Sequence, residues 1–530
     1  MAHSKIMMVD DIHFPPAEDD HVETVATQDD YASAKDVLRN NKSIAAWCLF
    51  FAMTAVGWGF DAQVNGAILS VPRFREDFGY IYKGQPILPA SWQSAFNSIS
   101  SVGQFLGGFI CSWLADLIGR RAALGIGLVF CAAGIFGEVF ATVKVAFLIG
   151  KLIVGVGLGF CLTLGPLYCS EISPVALRGL TTSGTNFGIV VGQLLSNSVL
   201  RGFGNRPDRW SYRGPLAMQW LFVLILAIGL PWAPESPWYY VRKNDLPSAR
   251  TQLRNLYGTE FDTEARLATM IKTINDEVSV QGNSKWSDCF KGTNFTRSLI
   301  SVGVFACQHF TGIIFVLGFS TYFFQLAGLA VEKSFDLGVG VTACGVVGVI
   351  ISWSLLNNFG RRRLFLCGMI SLTTILFLIG IVSLIPTSPA KWVQASLTVI
   401  YALFYQSTIG CVAFAVLGET PSAHLRARTI ALATATQAIF GIVMNIIVPY
   451  MVTPNEANLK GKVGFVFGGL SLLATLWAYF YIPELKGRTF HEIDEIFERK
   501  IPARHTRKYR FENGIEHTGG RKEKAGSCHS

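Results

Sequence analysis

Gly108–Arg121 reads GFICSWLADLIGRR, and Gly348–Arg362 reads GVIISWSLLNNFGRR. Each stretch closes one long apolar run and opens the next. A second pair repeats in the same order. Glu171–Arg178 (EISPVALR) and Glu419–Arg426 (ETPSAHLR) each place a Glu seven residues before an Arg, at the end of an apolar run. Two similar hydrophobic halves are the pattern of a secondary transporter, in which the substrate site lies between the halves.

The composition agrees with that reading. Of 530 residues, 51% are hydrophobic and 15% charged, against about 25% charged in soluble domains. Charge gathers in the first 43 residues, near 235–297, after 483 and in short connectors. Between these lie twelve apolar runs: 44–66, 93–115, 122–141, 145–168, 181–201, 216–233, 298–325, 337–358, 363–385, 395–417, 430–452 and 463–482. Each approaches or exceeds the roughly 20 residues a helix needs to cross a bilayer. They are spans 1 to 12 below.

An even number of spans puts both termini on one side. Arg120, Arg121, Arg178, Arg361–Arg363, Arg426 and Arg428 fall on alternate connectors with the basic central stretch, so that side is expected to be cytoplasmic. Arg201, Arg206, Arg209 and Arg213 on the other side make this a bias. The net charge of +9 follows from these loops and needs no nucleic acid. Residues 1–43 are polar, acidic and Pro-containing, which predicts a disordered cytoplasmic tail and not a cleaved signal. The cysteines fall mainly inside spans and form no convincing external pair, so no structural disulfide is expected. No metal-ligand spacing, nucleotide loop or nucleophile elbow is present, which argues against an enzyme.

The doubled GRR connector has a physical reading. Gly allows close helix approach at a tight turn. Asp116 is expected at a helix N-terminus or facing a basic group, and Arg120 and Arg121 are expected to face the cytoplasm and lipid phosphates. Asp116, Arg120, Arg121, Glu171, Arg178, Arg361, Arg362, Glu419 and Arg426 are thus candidates for cytoplasmic gating. Asn357 stands where the first copy has Asp116.

Further motifs carry a resemblance: Gly59–Asp61 (GFD), Gly155–Gly159 (GVGLG), Pro166–Glu171 (PLYCSE) with Arg178-Gly179, Pro234–Pro237 (PESP), Gln308 with Gly312, and Pro483–Thr489 (PELKGRT). In this order, with the GRR pair, they resemble the sugar porter branch of the major facilitator superfamily. PESPWYYVRKN at 234–244, SDCFKGTN at 287–294 and GFSTYFFQLAG at 318–328 are similar to fungal α-glucoside, maltose-type permeases. Trp238 follows PESP where hexose carriers usually have Arg.

The resemblance implies an all-α membrane protein. Its twelve helices would form two six-helix halves, 44–233 and 298–482. A cytoplasmic helical linker would occupy 234–297, with helices at 247–256 and 263–278, and cytoplasmic tails 1–43 and 483–530. It also implies a central sugar site on Asn186, Gln193, Gln308, His309, Phe414 and Gln437. Amides both donate to and accept from hydroxyls, and rings stack on apolar sugar faces. Asn186 and His309 stand where Gln is usual, Ile314 where Asn is usual, and Phe414 where many members have Trp. Asp61 stands where proton-coupled members carry Asp, and Lys151 where they often carry Arg. Protonating Asp61 would break its pair with Lys151 and act as a switch; Glu138 lies at similar depth.

The function implied is proton-coupled sugar uptake by alternating access, with an α-glucoside or related sugar as substrate. No cofactor is implied beyond the proton. The partners are the sugar and the plasma-membrane bilayer, and the chain is expected to work as a monomer. Two alternatives stay open: a facilitator or exporter of another metabolite (hexose, polyol, quinate or a secondary product), and a sugar sensor that moves nothing.

Overall fold

A segment crossing a bilayer must satisfy its backbone polar groups internally, so twelve apolar runs of this length predict twelve helices. The computed structural model describes residues 42–506 except 174, 259–261, 283–285, 423–424, 487 and 489. The tail at 1–41, the chain beyond 506 and the side chains of Arg178 and Asn357 lie outside the described residues.

The first six spans are Lys42–Ala67, Ala90–Ile118, Arg120–Phe140, Lys144–Ile172, Val175–Phe203 and the pair Trp210–Ala217 with Gln219–Gly229. The second six begin with Gly292–Phe310, continued by Ile314–Gly318 and Ser320–Leu326. Val331–Asn358 and Arg361–Val382 follow. The tenth is Ser388–Ser407 with Ile409–Glu419, and Arg426–Val452 and Val463–Tyr481 complete the set. Ten of these are long and apolar enough on their own to cross a membrane, among the described residues. Of the remaining two, span 5 carries more polar residues and span 7 is broken into pieces. The chain is a multi-pass helical membrane protein.

Small residues set the packing inside the first half. Gly103 and Gly107 of span 2 meet the backbone of span 4 at Gly155 and Val156, and Gly159 meets Gln104 in return. Helices that approach this closely gain van der Waals contact without a hydrophobic driving force, which lipid does not supply.

Outside the spans, Tyr80–Tyr82 and Gln85–Ile87 form an antiparallel hairpin after span 1. Between the halves stand Pro237–Arg242, Leu246–Tyr257 and Thr263–Gly282. Leu246–Tyr257 is capped by Asp245, which accepts from Ser248 N at 3.2 Å. Ala249, Leu253, Leu267 and Met270 give this region a small core of its own. It is fastened to the first half: Trp238 Nε1 donates to Glu171 O and Tyr257 OH to Ile172 O, both at 3.0 Å. After span 12, Phe490–Glu498 is fastened to the second half through Arg297, whose Nη1 lies 2.6 Å from Asp494 Oδ1.

The polar contacts joining the two halves gather at the end away from the GRR connectors. Gln63 Nε2 donates across to Leu317 O at 3.1 Å and, within the first half, to Asn197 Oδ1 at 3.3 Å. Asn197 Nδ2 donates to Gly338 O at 2.8 Å. Arg75 Nη2 donates to Gln325 Oε1 at 3.1 Å, while Gln325 Nε2 donates to Ser70 O at 2.8 Å. Gln93 Nε2 reaches Thr453 Oγ1 at 3.2 Å, and Arg201 pairs with Asp336. Nearer the GRR end, a cavity of about 400 Å³ lies against spans 1, 4 and 5, with Cys48, Thr54, Pro166, Thr185 and Phe187 in its wall.

Gly119 has φ 95°, and a Cβ there would strike the Glu235 carboxylate. Gly119→Ala is expected to cost about 1–3 kcal/mol through backbone strain and overpacking. It should lower the melting temperature of the detergent-purified protein. Gly202, with open space around it, is the control: Gly202→Ala should leave melting unchanged or raise it slightly.

Candidate functional site

Arg120 does not point outward as expected. Arg120 is 1% exposed. Its Nη2 and Nε donate to the two oxygens of Glu171 at 3.0 and 3.2 Å, and its Nη1 donates to Ala115 O at 3.1 Å. A guanidinium has five donors in a fixed fork, and here a carboxylate and a carbonyl satisfy it away from water. Asp116, two-thirds exposed, lies 3.4 Å from Arg120 Nη1 and 3.9 Å from Arg242 Nη1. Arg121 donates to Pro231 O at 2.7 Å.

The second half repeats the arrangement. Arg361 Nη2 lies 2.8 Å from Glu419 Oε1, and Arg362 donates to Tyr479 O at 2.6 Å and to Ile482 O. Arg426 donates to Gly418 O at 2.7 Å. Two further carboxylates, which the sequence did not single out, complete the sites. Glu235 of PESP accepts from Arg120 N at 2.9 Å and Arg121 N at 3.1 Å. Glu484 of PELK accepts from Arg361 N at 2.8 Å. Both occupy helix N-termini, where free amides and the dipole favour a negative charge. Burial pushes the Glu235 carboxyl above its ordinary range, and the amides of Ser236, Arg121 and Arg120 pull it back. The repetition of Pro-Glu after spans 6 and 12 was the available signal.

At mid-depth two helices break and touch. Span 7 stops at Phe310, turns at Gly312 (φ 75°) and resumes as a π turn over Ile314–Gly318. Span 10 breaks at Thr408, which has φ −123° and ψ −86°. Gln308 Nε2 points at Ile409 O across these breaks at 3.4 Å. Tyr401 OH donates to Thr311 O at 2.6 Å. His309 is 8% exposed and stacks on Phe440, with ring centroids 6.2 Å apart. Both its nitrogens lack a hydrogen-bond partner among the described residues. Span 11 brings Gln437 and Gly441 to the same face, Gly441 lying against the His309 ring.

From the first half, Asn186 Nδ2 reaches Cys411 Sγ at 3.4 Å, which puts span 5 against span 10. Gln193 lies half-buried two turns further along span 5. Phe414 packs edge-on against Phe305 and is 44% exposed. Gln308 and His309 are thus neighbours on span 7, the Gln437 backbone lies beside the His309 ring, Asn186 touches span 10 at Cys411, Gln193 is half-buried and Phe414 is partly exposed.

The third cluster lies wholly within the first half. Lys151 Nζ stands 3.6 Å from Asp61 Oδ1 and 3.2 Å from Glu138 Oε1, and none of the three is more than 1% exposed. Asn65, one turn after Asp61, donates to Asp61 Oδ2 at 3.0 Å and accepts from Lys151. Its i, i+4 spacing from Asp61 was the signal that went unread. The described residues hold no group of three or more His, Cys, Asp or Glu able to bind a metal.

The chain is similar to known proteins. The family model described as sugar (and other) transporter matches residues 47–497. The chain belongs to that family. An α-glucosides permease of Saccharomyces cerevisiae is 32% identical over 473 residues, 87% of this chain and 78% of its own length. A general α-glucoside permease and a maltose permease of the same yeast are 29% and 31% identical, over 89% and 88% of this chain and 78% of their own lengths. Among solved structures, the Escherichia coli xylose transporter in an inward-open conformation superposes with a TM-score of 0.69 at 21% identity. That match covers 86% of this chain and 99% of the transporter. This structural likeness carries the two-half, twelve-helix fold; membership in a family of membrane transporters excludes an enzyme reading.

Gln308→Ala and Gln437→Ala each remove a hydroxyl partner worth roughly 0.5–1.5 kcal/mol. Each is expected to lower uptake at subsaturating substrate by roughly 2- to 10-fold. If both variants reach the surface and transport at the parent rate, the site lies elsewhere.

Proposed function

We propose that this member of the family takes up an α-glucoside or related sugar, coupled to protons, by alternating access across the plasma membrane. In this reading both termini and the helices of 234–297 lie in the cytoplasm, and the chain works as a monomer. The observation that carries it is the pair of broken helices of the second half, spans 7 and 10, meeting at Gln308 and Ile409, with Asn186 of the first half touching span 10 at Cys411. Broken helices expose carbonyls, and such backbone is tolerated at membrane depth only where protein or a wet cavity covers it. Amide, imidazole and carbonyl groups beside Phe440 and Phe414 suit a ligand with many hydroxyls and apolar faces.

The substrate class leans on the relatives, which are named as α-glucoside and maltose permeases. Ile314, His309 and Phe414 make the site less polar than the family pattern and keep a different metabolite in play. Proton coupling leans on Asp61 and Lys151. A solved neighbour of 20% identity is named a proton:xylose symporter. A charge at this depth is expensive and is retained where it works. Binding a proton at the pair alters how Lys151 is neutralised, and that shifts the balance between the outward-open and inward-open states.

The transport cycle follows from the contacts. With the far end joined by the Gln63, Asn197, Gln325 and Gln93 bonds, the site communicates with the GRR side. Opening the far end exchanges these bonds, one of them charge-assisted by Arg75, for water. On the GRR side, the Arg120–Glu171 and Arg361–Glu419 units then approach each other.

The test is expression in a cell stripped of its own sugar permeases, offered labelled maltose, glucose and a polyol in parallel. Maltose-type uptake that rises at external pH of about 5 relative to about 7, and falls with a proton uncoupler, is expected. Asp61→Asn, a mimic of the protonated acid, should abolish uphill accumulation while leaving exchange partly intact. Uptake by the parent that ignores pH and uncoupler would mark a facilitator and return Asp61 to a structural role.

A further inference from the structure

Lys151 is one ammonium facing two carboxylates. With Asp61, Glu138 and Lys151 all ionised, the cluster carries one net negative charge at membrane depth, on three side chains no more than 1% exposed. An uncompensated charge there is strongly disfavoured. One bound proton makes the cluster neutral.

The two carboxylates are not equivalent. Asp61 Oδ2 accepts from Asn65 Nδ2 at 3.0 Å, and Asn65 in turn accepts from Lys151. Asp61 thus has one oxygen held by a donor suited to its ionised form, while its Oδ1 has only Lys151, at 3.6 Å. Glu138 has Lys151 Nζ at 3.2 Å from Oε1 and no hydrogen-bond partner at Oε2 among the described residues. A carboxylate oxygen without a donor is costly when buried, whereas a protonated carboxyl tolerates it better. The other groups near Glu138 are Gln219 of span 6, a buried amide turned toward the Glu138 carboxylate without a well-formed hydrogen bond to it, and the Cys131 thiol two helical turns earlier on span 3. The Phe147 ring faces Lys151, 5.5 Å from Nζ to the centroid. Glu138 also has nowhere to retreat: a Cβ on Gly150 would lie 2.8 Å from Glu138 N and 3.2 Å from its Cγ. Spans 3 and 4 thus hold the glutamate against the lysine.

We propose that Glu138 is a second proton-coupling residue: one proton is shared by the Asp61–Lys151–Glu138 cluster, and in this conformation it sits on Glu138. The inference rests on the reading that uptake is proton-coupled. A proton from water adds to a Glu138 oxygen and forms an O–H bond, while Lys151 keeps its charge and pairs with Asp61. Release breaks that O–H bond and returns the proton to water on the other side. No other reactant is needed.

Glu138→Gln keeps the shape and removes the ionisation. Two measurements separate this proposal from the reading beneath it. The first needs no substrate: infrared difference spectra of the purified protein in lipid vesicles, titrated from about pH 8 to about pH 5. The parent should show a protonated buried carboxyl that Glu138→Gln lacks; a band that persists in Glu138→Gln overturns the proposal. The second uses labelled maltose, or whichever sugar of the panel above is taken up. Glu138→Gln should retain exchange across the membrane, lose uphill accumulation and lose the pH dependence of uptake, and Glu138→Asp should restore both. Parent-like accumulation and pH profile in Glu138→Gln would overturn it. So would loss of exchange in both variants, which marks a purely structural role. A parent protein whose uptake ignores pH removes the coupling reading and, with it, the coupling role of Glu138, while the infrared band still reports where the proton resides.

Discussion

Arg120 against Glu171, with Glu235 on the adjoining amides, is the interaction on which the rest of the first half depends. It ties the turn between spans 2 and 3 to the ends of spans 4 and 6. Removing one partner of such a buried pair typically costs about 3–5 kcal/mol, because the other charge is left unpaired. The second half repeats it with Arg361, Glu419 and Glu484. The copies differ in depth: Arg120 is 1% exposed and Arg361 21%. Water therefore screens the second unit more, and its pairing is the weaker. Both units act inside a half, so each half moves as a body.

Magnitudes then decide where the molecule gives way. Inside the halves stand buried charge pairs and glycine-mediated helix contacts. Between them stand mainly neutral amide–carbonyl and amide–hydroxyl bonds, each worth about 0.5–1.5 kcal/mol net. Arg201 with Asp336 is charged but exposed, and such pairs contribute about 0–1 kcal/mol. A sugar or proton with a differential affinity of a few kcal/mol is enough to shift an interface built this way. The same energy does not break a half.

The spans were legible because lipid imposes one backbone solution on an apolar run; the C-terminal ends fall within about four residues of the expected ones, while spans 5 to 8 and 10 begin six or seven residues earlier. The motif repeats were legible because both halves solve the same problem. Asp61 and Lys151 could be paired only through the resemblance, which puts an acid and a base at those two positions; the cost of a lone charge in the membrane agrees with it. What could not be read were partners fixed by tertiary geometry. Arg120 was expected to face the cytoplasm and lipid phosphates, and only the fold puts Glu171 and Ala115 O around it. Glu235 and Glu484 stand inside the PESP and PELK motifs with no sign of their partners, and their work as N-terminal caps needs helices from elsewhere in the chain. The break in span 7 had a signal in Thr311-Gly312, but that in span 10 falls at Thr408 within Ser407–Ile409, where no Gly or Pro marks the turn itself.

The central site gains its character from being poorly satisfied. The Gln308–Ile409 bond is long at 3.4 Å, Asn186 has a thiol as its partner at 3.4 Å, and both His309 nitrogens are unpaired among the described residues. A fully bonded network would have to be broken before a hydroxyl entered, and the ligand's bonds would only replace what was lost. Here a hydroxylated ligand meets donors and acceptors whose present partners are weak. Its net gain per bond is larger, and the broken helices that carry these groups belong to the half that must close around it. The looseness of these bonds, set between two stiff halves, is what lets binding in the middle drive movement at the ends.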